Sequence, residues 1–194
     1  MDRIEVIQAL IDGRGYRRYL EIGCAGDECF SRVRAAYKVG VDPVVGGTLR
    51  MASDEYFAMA VETFDLVFID GDHRHPQVFR DVCHALRHLS PDGTLVMHDC
   101  LPPDAVHESP SLCGTVWRVL AKIRERPDLE AVTADFDYGV GIVRKRPNTA
   151  PIRVGLSMDD LIYADLVANR EAWMRPVTPA RVLEIAEGAK GSGG

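Results

Sequence analysis

The sequence of 194 residues predicts an α/β fold: a mostly parallel sheet with helices on both faces and an antiparallel hairpin at one edge. Three observations carry that prediction. Strand-like and helix-like segments alternate along the chain. The continuous apolar run Phe64–Ile69 reads as a strand covered on both faces, and Thr94–His98 reads as another strand. An acid terminates each of them, Asp70 and Asp99.

The elements follow in order. Ile4, Val6, Ile7, Leu10 and Ile11 recur at helical spacing over residues 2–12, with Gly13 as the stop. Tyr19, Leu20 and Ile22 enter the turn Gly23-Cys24-Ala25-Gly26; Phe30, Val33 and Tyr37 then recur at helical spacing, and Val39-Gly40-Val41 leads to Asp42. Pro43–Gly47 is a loop, Thr48–Met51 a candidate short strand, and Ser53-Asp54 a candidate cap for a helix holding Tyr56 and Phe57. Pro76 suits the first turn of a helix whose buried stripe is Val78, Val82, Leu86 and Leu89, and Ser90–Gly93 is a turn. Residues 100–113, rich in proline and polar groups, predict a mobile loop, and a helix over Thr115–Arg126 follows.

Leu129–Thr133 and Val140–Arg144, joined by a short connection, predict the antiparallel hairpin. Residues 147–156 read as an extended linker. Ser157 and Asp160 make a capping box before Leu161, Ile162, Leu166 and Trp173, and Thr178-Pro179 opens a last helix ending near Gly188. The chain thus divides into a domain over 1–146 and a helical extension over 147–190 that packs on it, with a lid or homodimer element as the alternative for the extension. The final Gly-Ser-Gly-Gly reads as a disordered or added tail.

Composition narrows the function. A net charge of −6 argues against a nucleic-acid surface, though not against a nucleoside ligand, and the Arg14, Arg17, Arg18 cluster reads as a solvated edge. Five cysteines without a Cys-x-x-Cys pair disfavour a disulfide framework or structural zinc and fit a reducing cytoplasm. No apolar run approaches the roughly 18–20 residues of a membrane span. The expectation is a cytoplasmic protein.

The unit over residues 18–42 places backbone N–H groups and carboxylates around a nucleoside at the carboxyl edge of a parallel sheet. Glu21 puts a negative charge beside the glycine turn, which repels a pyrophosphate and favours a cationic ligand such as S-adenosylmethionine. The absence of Gly-x-Gly-x-x-Gly also disfavours NAD. If the strands before Asp70 and Asp99 are neighbours, their ends lie about 5 Å apart. Two such carboxylates repel unless a cation or proton sits between them. Asp72 and the residues after Asp99 are candidates to complete an oxygen-rich magnesium site, while Asp70 as an acceptor of backbone N–H bonds is the plainer reading. His73, three residues past Asp70, and His98, beside Asp99, are rival general bases, and either can instead simply bond a carboxylate. His84 and His88 have zinc spacing but no third ligand, so they read as an exposed helix face.

With Ile69-Asp70-Gly71-Asp72-His73 and then His98-Asp99 in this order, residues 16–146 resemble the class I S-adenosylmethionine-dependent methyltransferases, in the small-molecule O-methyltransferase-like branch. The resemblance implies a Rossmann-like methyltransferase fold and methyl transfer to a hydroxyl of a small molecule, a sugar or a natural-product intermediate. It implies Glu21, Gly23, Cys24 and Gly26 around the methionine portion of the cofactor, Asp42 on the ribose hydroxyls, Ser53 and Asp54 near the adenine, and Asp70 beside the reactive end. The branch is also similar to the catechol-type and macrolide-sugar O-methyltransferases, which implies Mg2+ at Asp70 and Asp99; Cys100 stands where the catechol-type enzymes have asparagine, and a thiol suits magnesium poorly. The loop 100–113 and the tail are expected to shape the acceptor pocket. From another class, a nonenzymatic S-adenosylmethionine-binding or assembly module is the alternative.

Overall fold

The structure is a computed structural model that describes residues 1–188. Its strands are β1 (Arg18–Ile22), β2 (Tyr37–Val41), β3 (Phe64–Ile69), β4 (Leu89–Met97), β5 (Glu130–Ala134), β6 (Val140–Arg144) and β7 (Pro176–Val177). Its helices are α1 (Arg3–Arg14), α2 (Glu28–Arg32), α3 (Ser53–Met59), α4 (His75–His88), α5 (Val116–Ile123), α6 (Tyr163–Met174) and α7 (Pro179–Glu187). The strands form one sheet in the order β2-β1-β3-β4-β6-β5-β7. β2, β1, β3 and β4 run parallel, and β6 joins antiparallel to both β4 and β5.

Period-two alternation sends Leu20, Ile22, Val67, Ile69, Leu95 and Met97 to one face, and Tyr19, Leu66, Phe68 and Val96 to the other. The first face is covered by α3, α4, α5 and α6, where fully buried Trp117 stacks on Trp173 at 6.4 Å. The second is covered by α1, α2 and α7. β3 and β4 pair with Ile69 opposite Met97, so Asp70 and Asp99 do emerge side by side. Because β6 is antiparallel to β4, with Met97 opposite Gly141, the β5–β6 turn also arrives at this carboxyl edge.

Several local expectations change in three dimensions. Gly13 does not end α1, which continues to Arg14 and closes at Gly15 in the left-handed region (φ 66). Gly13 serves a packing purpose instead: a Cβ there would lie 2.7 Å from the Ala186 carbonyl oxygen, so its absence lets α7 press on α1. The second helix is only Glu28–Arg32, and Tyr37 opens β2 rather than extending a helical stripe. Thr48–Met51 yields a single bridge, Leu49 to Val41. Ser53 is the first residue of α3, not its cap; Ala52 precedes it, and Glu55 accepts the Ala52 N–H.

The expected turn at Ser90–Gly93 is an irregular entry into β4, whose register against β3 jumps between Phe64 and Leu66. Ser157 and Asp160 do bond each other, but they close a turn, and α6 starts later, at Tyr163. The hairpin is antiparallel as expected, with the short β7 added outside β5. Arg18 is no free edge charge, since it pairs with Glu62 and stacks over Tyr37. No helix among the described residues is long and apolar enough to cross a membrane. The expected disorder of the Gly-Ser-Gly-Gly tail, and the end of the extension at 189–190, lie outside the described residues.

Candidate functional site

On the β1–β2 side of the carboxyl edge the chain doubles back tightly. Gly23 has φ 86, and a Cβ there would lie 2.3 Å from the Asp70 carbonyl oxygen, so only glycine lets the ends of β1 and β3 approach this closely. Ala25 (φ 43) and Asp27 (φ 64) continue the turn in left-handed conformations. Gly46 and Gly47 fold the next loop over it, and Gly47 N–H donates to Asp27 Oδ1 at 2.6 Å.

Asp42 ties these two loops together. Its Oδ2 accepts the N–H groups of Cys24 (3.0 Å) and Ala25 (2.9 Å), and its Oδ1 those of Val44 (2.7 Å) and Val45 (2.9 Å). Partial burial raises its pKa, but these donors outweigh that and hold it below the ordinary range. The beginnings of α3 and the segment after β3 complete a cavity of about 490 Å³, lined by Ile22, Gly23, Asp42, Ser53, Asp70 and His73 among others. That volume is in the range of a small-molecule or nucleoside site.

Glu21 lies elsewhere from where its sequence position suggests. It is 1% exposed on the α1–α2–α7 face, where Tyr19 Oη donates to it. Burial pushes its carboxyl up to about 7. The charge argument against a pyrophosphate therefore weakens near neutrality, because much of that charge is suppressed. Cys24 is likewise buried, with Sγ near the carbonyls of Glu21 and Val41, so only its backbone serves the turn. Gly26 has nothing within 4 Å of where a Cβ would be. Ser53 lines the cavity; Asp54 instead turns toward α4, to Gln77 (3.3 Å) and Arg80 (3.3 Å).

Beyond Asp70 the edge becomes dense in charge. His73 Nε2 lies 3.6 Å from Asp70 Oδ1 and 3.4 Å from Asp99 Oδ2. Its Nδ1 donates to the Leu112 carbonyl, which fixes the tautomer and leaves Nε2 as the basic atom of the neutral ring. Thr115 N–H donates to the His73 carbonyl (2.8 Å), and Gly114, at φ 58, approaches so closely that a Cβ would lie 2.2 Å from that oxygen. The end of the 100–113 loop thus clamps His73. The nearby Asp70 carboxylate raises the His73 pKa above its ordinary value against the opposing effect of burial, with Asp99 reinforcing it.

His98 is enclosed differently. Its Nδ1 faces Asp70 Oδ1 (3.2 Å) and Asp99 Oδ2 (3.5 Å), and its Nε2 faces Asp137 Oδ1 (3.4 Å). Burial alone would lower its pKa, but Asp137, Asp70 and Asp99 push it up to about 12. The ring is 7% exposed and held in its protonated form with both N–H groups directed at carboxylates, so it has no lone pair with which to take a proton.

Arg3 closes the cluster from the start of α1: its guanidinium lies 3.7 Å from Asp70 and 3.3 Å from Asp137, and its backbone N–H donates to Asp137 Oδ2 at 2.7 Å. The Asp70 carboxyl is held well below its ordinary range; burial opposes this, and His73, His98 and Arg3 overcome it. Asp72, a candidate magnesium ligand by sequence, points away and bonds Arg74. Cys100 Sγ is buried beside the carbonyls of Met97 and His98, so it is no ligand.

Among the described residues, one group of acids and histidines has metal-binding spacing: Asp70, His73 and Asp99, with donor atoms within 4.8 Å of one another. His84 and His88 do not share an ion; His84 stacks on Phe57 at 5.2 Å and His88 Nδ1 donates to the Glu62 carbonyl.

Sequence reasoning missed Arg3, Asp137 and the Leu112 carbonyl. Asp137 had a signal, since an antiparallel strand beside β4 must bring its preceding turn to this edge. Arg3 had none, because only the packing of α1 brings it there.

Residues 17–100 match the family model described as a methyltransferase domain. Among solved structures, the chain is similar to the O-methyltransferase from Bacillus cereus in complex with SAH, at 18% identity over 73% of this chain and 78% of that one, with a TM-score of 0.55. It is also similar to the O-methyltransferase TomG from Streptomyces achromogenes, involved in tomaymycin synthesis and in complex with SAM, at 17% identity over 74% and 79%, TM-score 0.56. A third is the SAH-bound Podospora anserina methyltransferase PaMTH1, at 17% identity over 75% and 80%, TM-score 0.55. No curated protein matches the chain significantly. At these identities the structural likeness establishes the fold, and the family match spans β1 to the end of β4.

Proposed function

We propose that this chain is a class I S-adenosylmethionine-dependent methyltransferase of the O-methyltransferase-like branch, and that it methylates a hydroxyl of a small molecule at the edge between β3, β4 and β6. The observation that carries the reading is continuity. The glycine-turn cavity and a second space of about 310 Å³, lined by Arg3, His98, Asp99 and Tyr138, share Asp70 and His73 as a common wall. A ligand seated over Gly23 and Ala25 would present its far end to the acidic cluster.

S-adenosylmethionine supplies an electrophilic methyl group on its sulfonium, so positioning is the protein's main task. The backbone carbonyls of Gly23 and Ala25, whose N–H groups are already bonded to Val41 and Asp42, are proposed with Ser53 to bind the nucleoside and methionine portions. Asp42 acts chiefly as the organiser of that backbone, because both its oxygens already hold two N–H groups each. Glu21 and Cys24 support the turn from beneath. His73 Nε2 takes the acceptor's proton, and Leu112 keeps the ring oriented. His98 holds Asp70, Asp99 and Asp137 in place and is not the base.

The spacing of Asp70, His73 and Asp99 fits a divalent cation. An imidazole among the donors suits manganese- or zinc-class ions better than magnesium. Such an ion would be held through His73 Nε2, so His73 serves as the base only when the ion is absent; a bound ion would instead polarise the acceptor oxygen and lower the pKa of its hydroxyl. Full turnover in chelator would remove the ion from the reaction.

Isothermal titration tests the cofactor assignment. S-adenosylhomocysteine is expected to bind, and Asp42→Ala to weaken it; tight NAD binding in its place overturns the reading.

A further inference from the structure

On the far side of the cluster lies another cavity, of about 480 Å³, where the residues after Asp99, the β5–β6 turn and α6 meet. Tyr138 belongs to both its lining and that of the reaction space, so the two adjoin. Resting on the methyl-transfer reading above, we infer that this cavity holds the acceptor, and that the acceptor is an uncharged, hydroxyl-bearing aromatic ring system rather than a free sugar.

Two independent observations support this. The first is the setting of Tyr138. Asp137 (φ 50), Tyr138 (φ 56) and Gly139 (φ 86) are consecutive left-handed residues, and Tyr138 remains 51% exposed. The strain is held by Asp137 on Arg3, and by Cys100 and Leu101 N–H donating to the Gly139 (2.9 Å) and Tyr138 (2.7 Å) carbonyls. A large ring kept in solvent by a strained, well-anchored backbone is a feature of ligand-contacting positions. His107 stacks on it at 5.9 Å, leaving an aromatic platform beside the reaction space.

The second is what the walls offer. Phe136, Tyr138, Tyr163, Pro102 and Leu166 supply flat and apolar surface. The charged members, Asp135 and Arg170, neutralise each other in an ion pair, and Tyr163 Oη donates to the Pro102 carbonyl at 3.3 Å. The hydrogen-bonding groups are thus largely engaged among themselves. A sugar needs many free polar partners, whereas an aromatic ring needs stacking area. α6 supplies one whole wall, which gives the C-terminal extension a role in acceptor choice.

The test uses the full chain saturated with S-adenosylhomocysteine, titrated calorimetrically with 2-naphthol and, separately, with methyl α-glucoside. Saturable naphthol binding is expected, with glucoside binding weaker. Val167→Trp, placed at a lining position that is 60% exposed, fills the cavity without touching the core, and Tyr138→Ala removes the platform. Each is expected to weaken naphthol by about tenfold or more while S-adenosylhomocysteine affinity stays unchanged. Naphthol binding that neither variant alters, tighter glucoside binding, or no naphthol binding to the S-adenosylhomocysteine complex overturns this inference alone. Failure of S-adenosylhomocysteine to bind overturns the methyl-transfer reading and this inference with it.

Discussion

On the β1–β2 side of the edge the cavity is shaped by backbone: the turn at Gly23 and Ala25 and the loop Pro43–Val45, tied together by four N–H groups gathered by Asp42. On the β3–β4–β6 side the neighbouring space is walled by titratable side chains, Arg3, Asp70, His73, His98 and Asp99, drawn from three separate stretches, with Asp137 pairing Arg3 and His98 behind them. The contrast suits two tasks. A backbone cradle binds a ligand by shape and fixed dipoles, while a cluster of titratable groups can move a proton. The division teaches where to expect losses of affinity and where to expect losses of rate.

The largest effect expected is on rate. His73→Ala should lower methyl transfer at saturating cofactor by about 10²–10⁴-fold, with S-adenosylhomocysteine affinity nearly unchanged. A matching fall in affinity would erase the distinction between the two regions, and an unchanged rate would remove His73 as the base.

Next is Asp42→Ala, which leaves four N–H groups without their acceptor. A stability loss of about 3 kcal/mol in denaturant unfolding is expected, together with weaker cofactor binding. Loss of affinity at full stability would return Asp42 to a direct ribose contact.

Glu21 sharpens the account of the cradle's underside. Burial raises its carboxyl from the ordinary 4.5 to about 7, so the folded protein keeps a proton that the unfolded chain has released. The resulting destabilisation is absent below the unfolded value, grows as pH rises between the two, and levels off above the folded one. Glu21→Gln should therefore stabilise by on the order of 2 kcal/mol at about pH 8 and by little at about pH 4. A difference independent of pH would contradict the buried-acid description.

The smallest effect expected is that of Arg3→Ala. It removes a half-buried cation from Asp70 and Asp137 and should cost about 1 kcal/mol of stability. As a positioning residue it should lower kcat more than it raises the cofactor Kd. Rescue by Arg3→Lys would indicate that charge suffices; failure of rescue would show that the Asp137 fork geometry matters.

The sequence was most legible where structure is local or repeats with a short period. The apolar run Phe64–Ile69 named a doubly covered strand because its neighbours in sequence carry that information. The hairpin was readable because its connection is short. Glu21 was misleading for the opposite reason. Its charge depends on how deeply helices remote in sequence bury it, and Tyr19, two residues away, became its partner only because both face α1 and α7. Gly13 likewise looked like a helix stop, since nothing nearby announces the approach of Ala186. His73 and His98 were indistinguishable as rivals in sequence. They part in the structure because one ring keeps an anchored nitrogen and an edge toward the cavity, and the other is surrounded by three carboxylates.

By itself the sequence determined the order of the helices and of β1 to β6, the glycine turn after β1, and the acids at the ends of β2, β3 and β4. Those depend on backbone freedom, apolar periodicity and spacing, which adjacent residues encode. Only the tertiary structure decided how deeply each acid and histidine is enclosed, that Arg3 and Asp137 join the cluster, and that α6 walls a second cavity. Protonation and access depend on burial and on the charges packed nearby, and those are set by contacts between residues far apart in the chain.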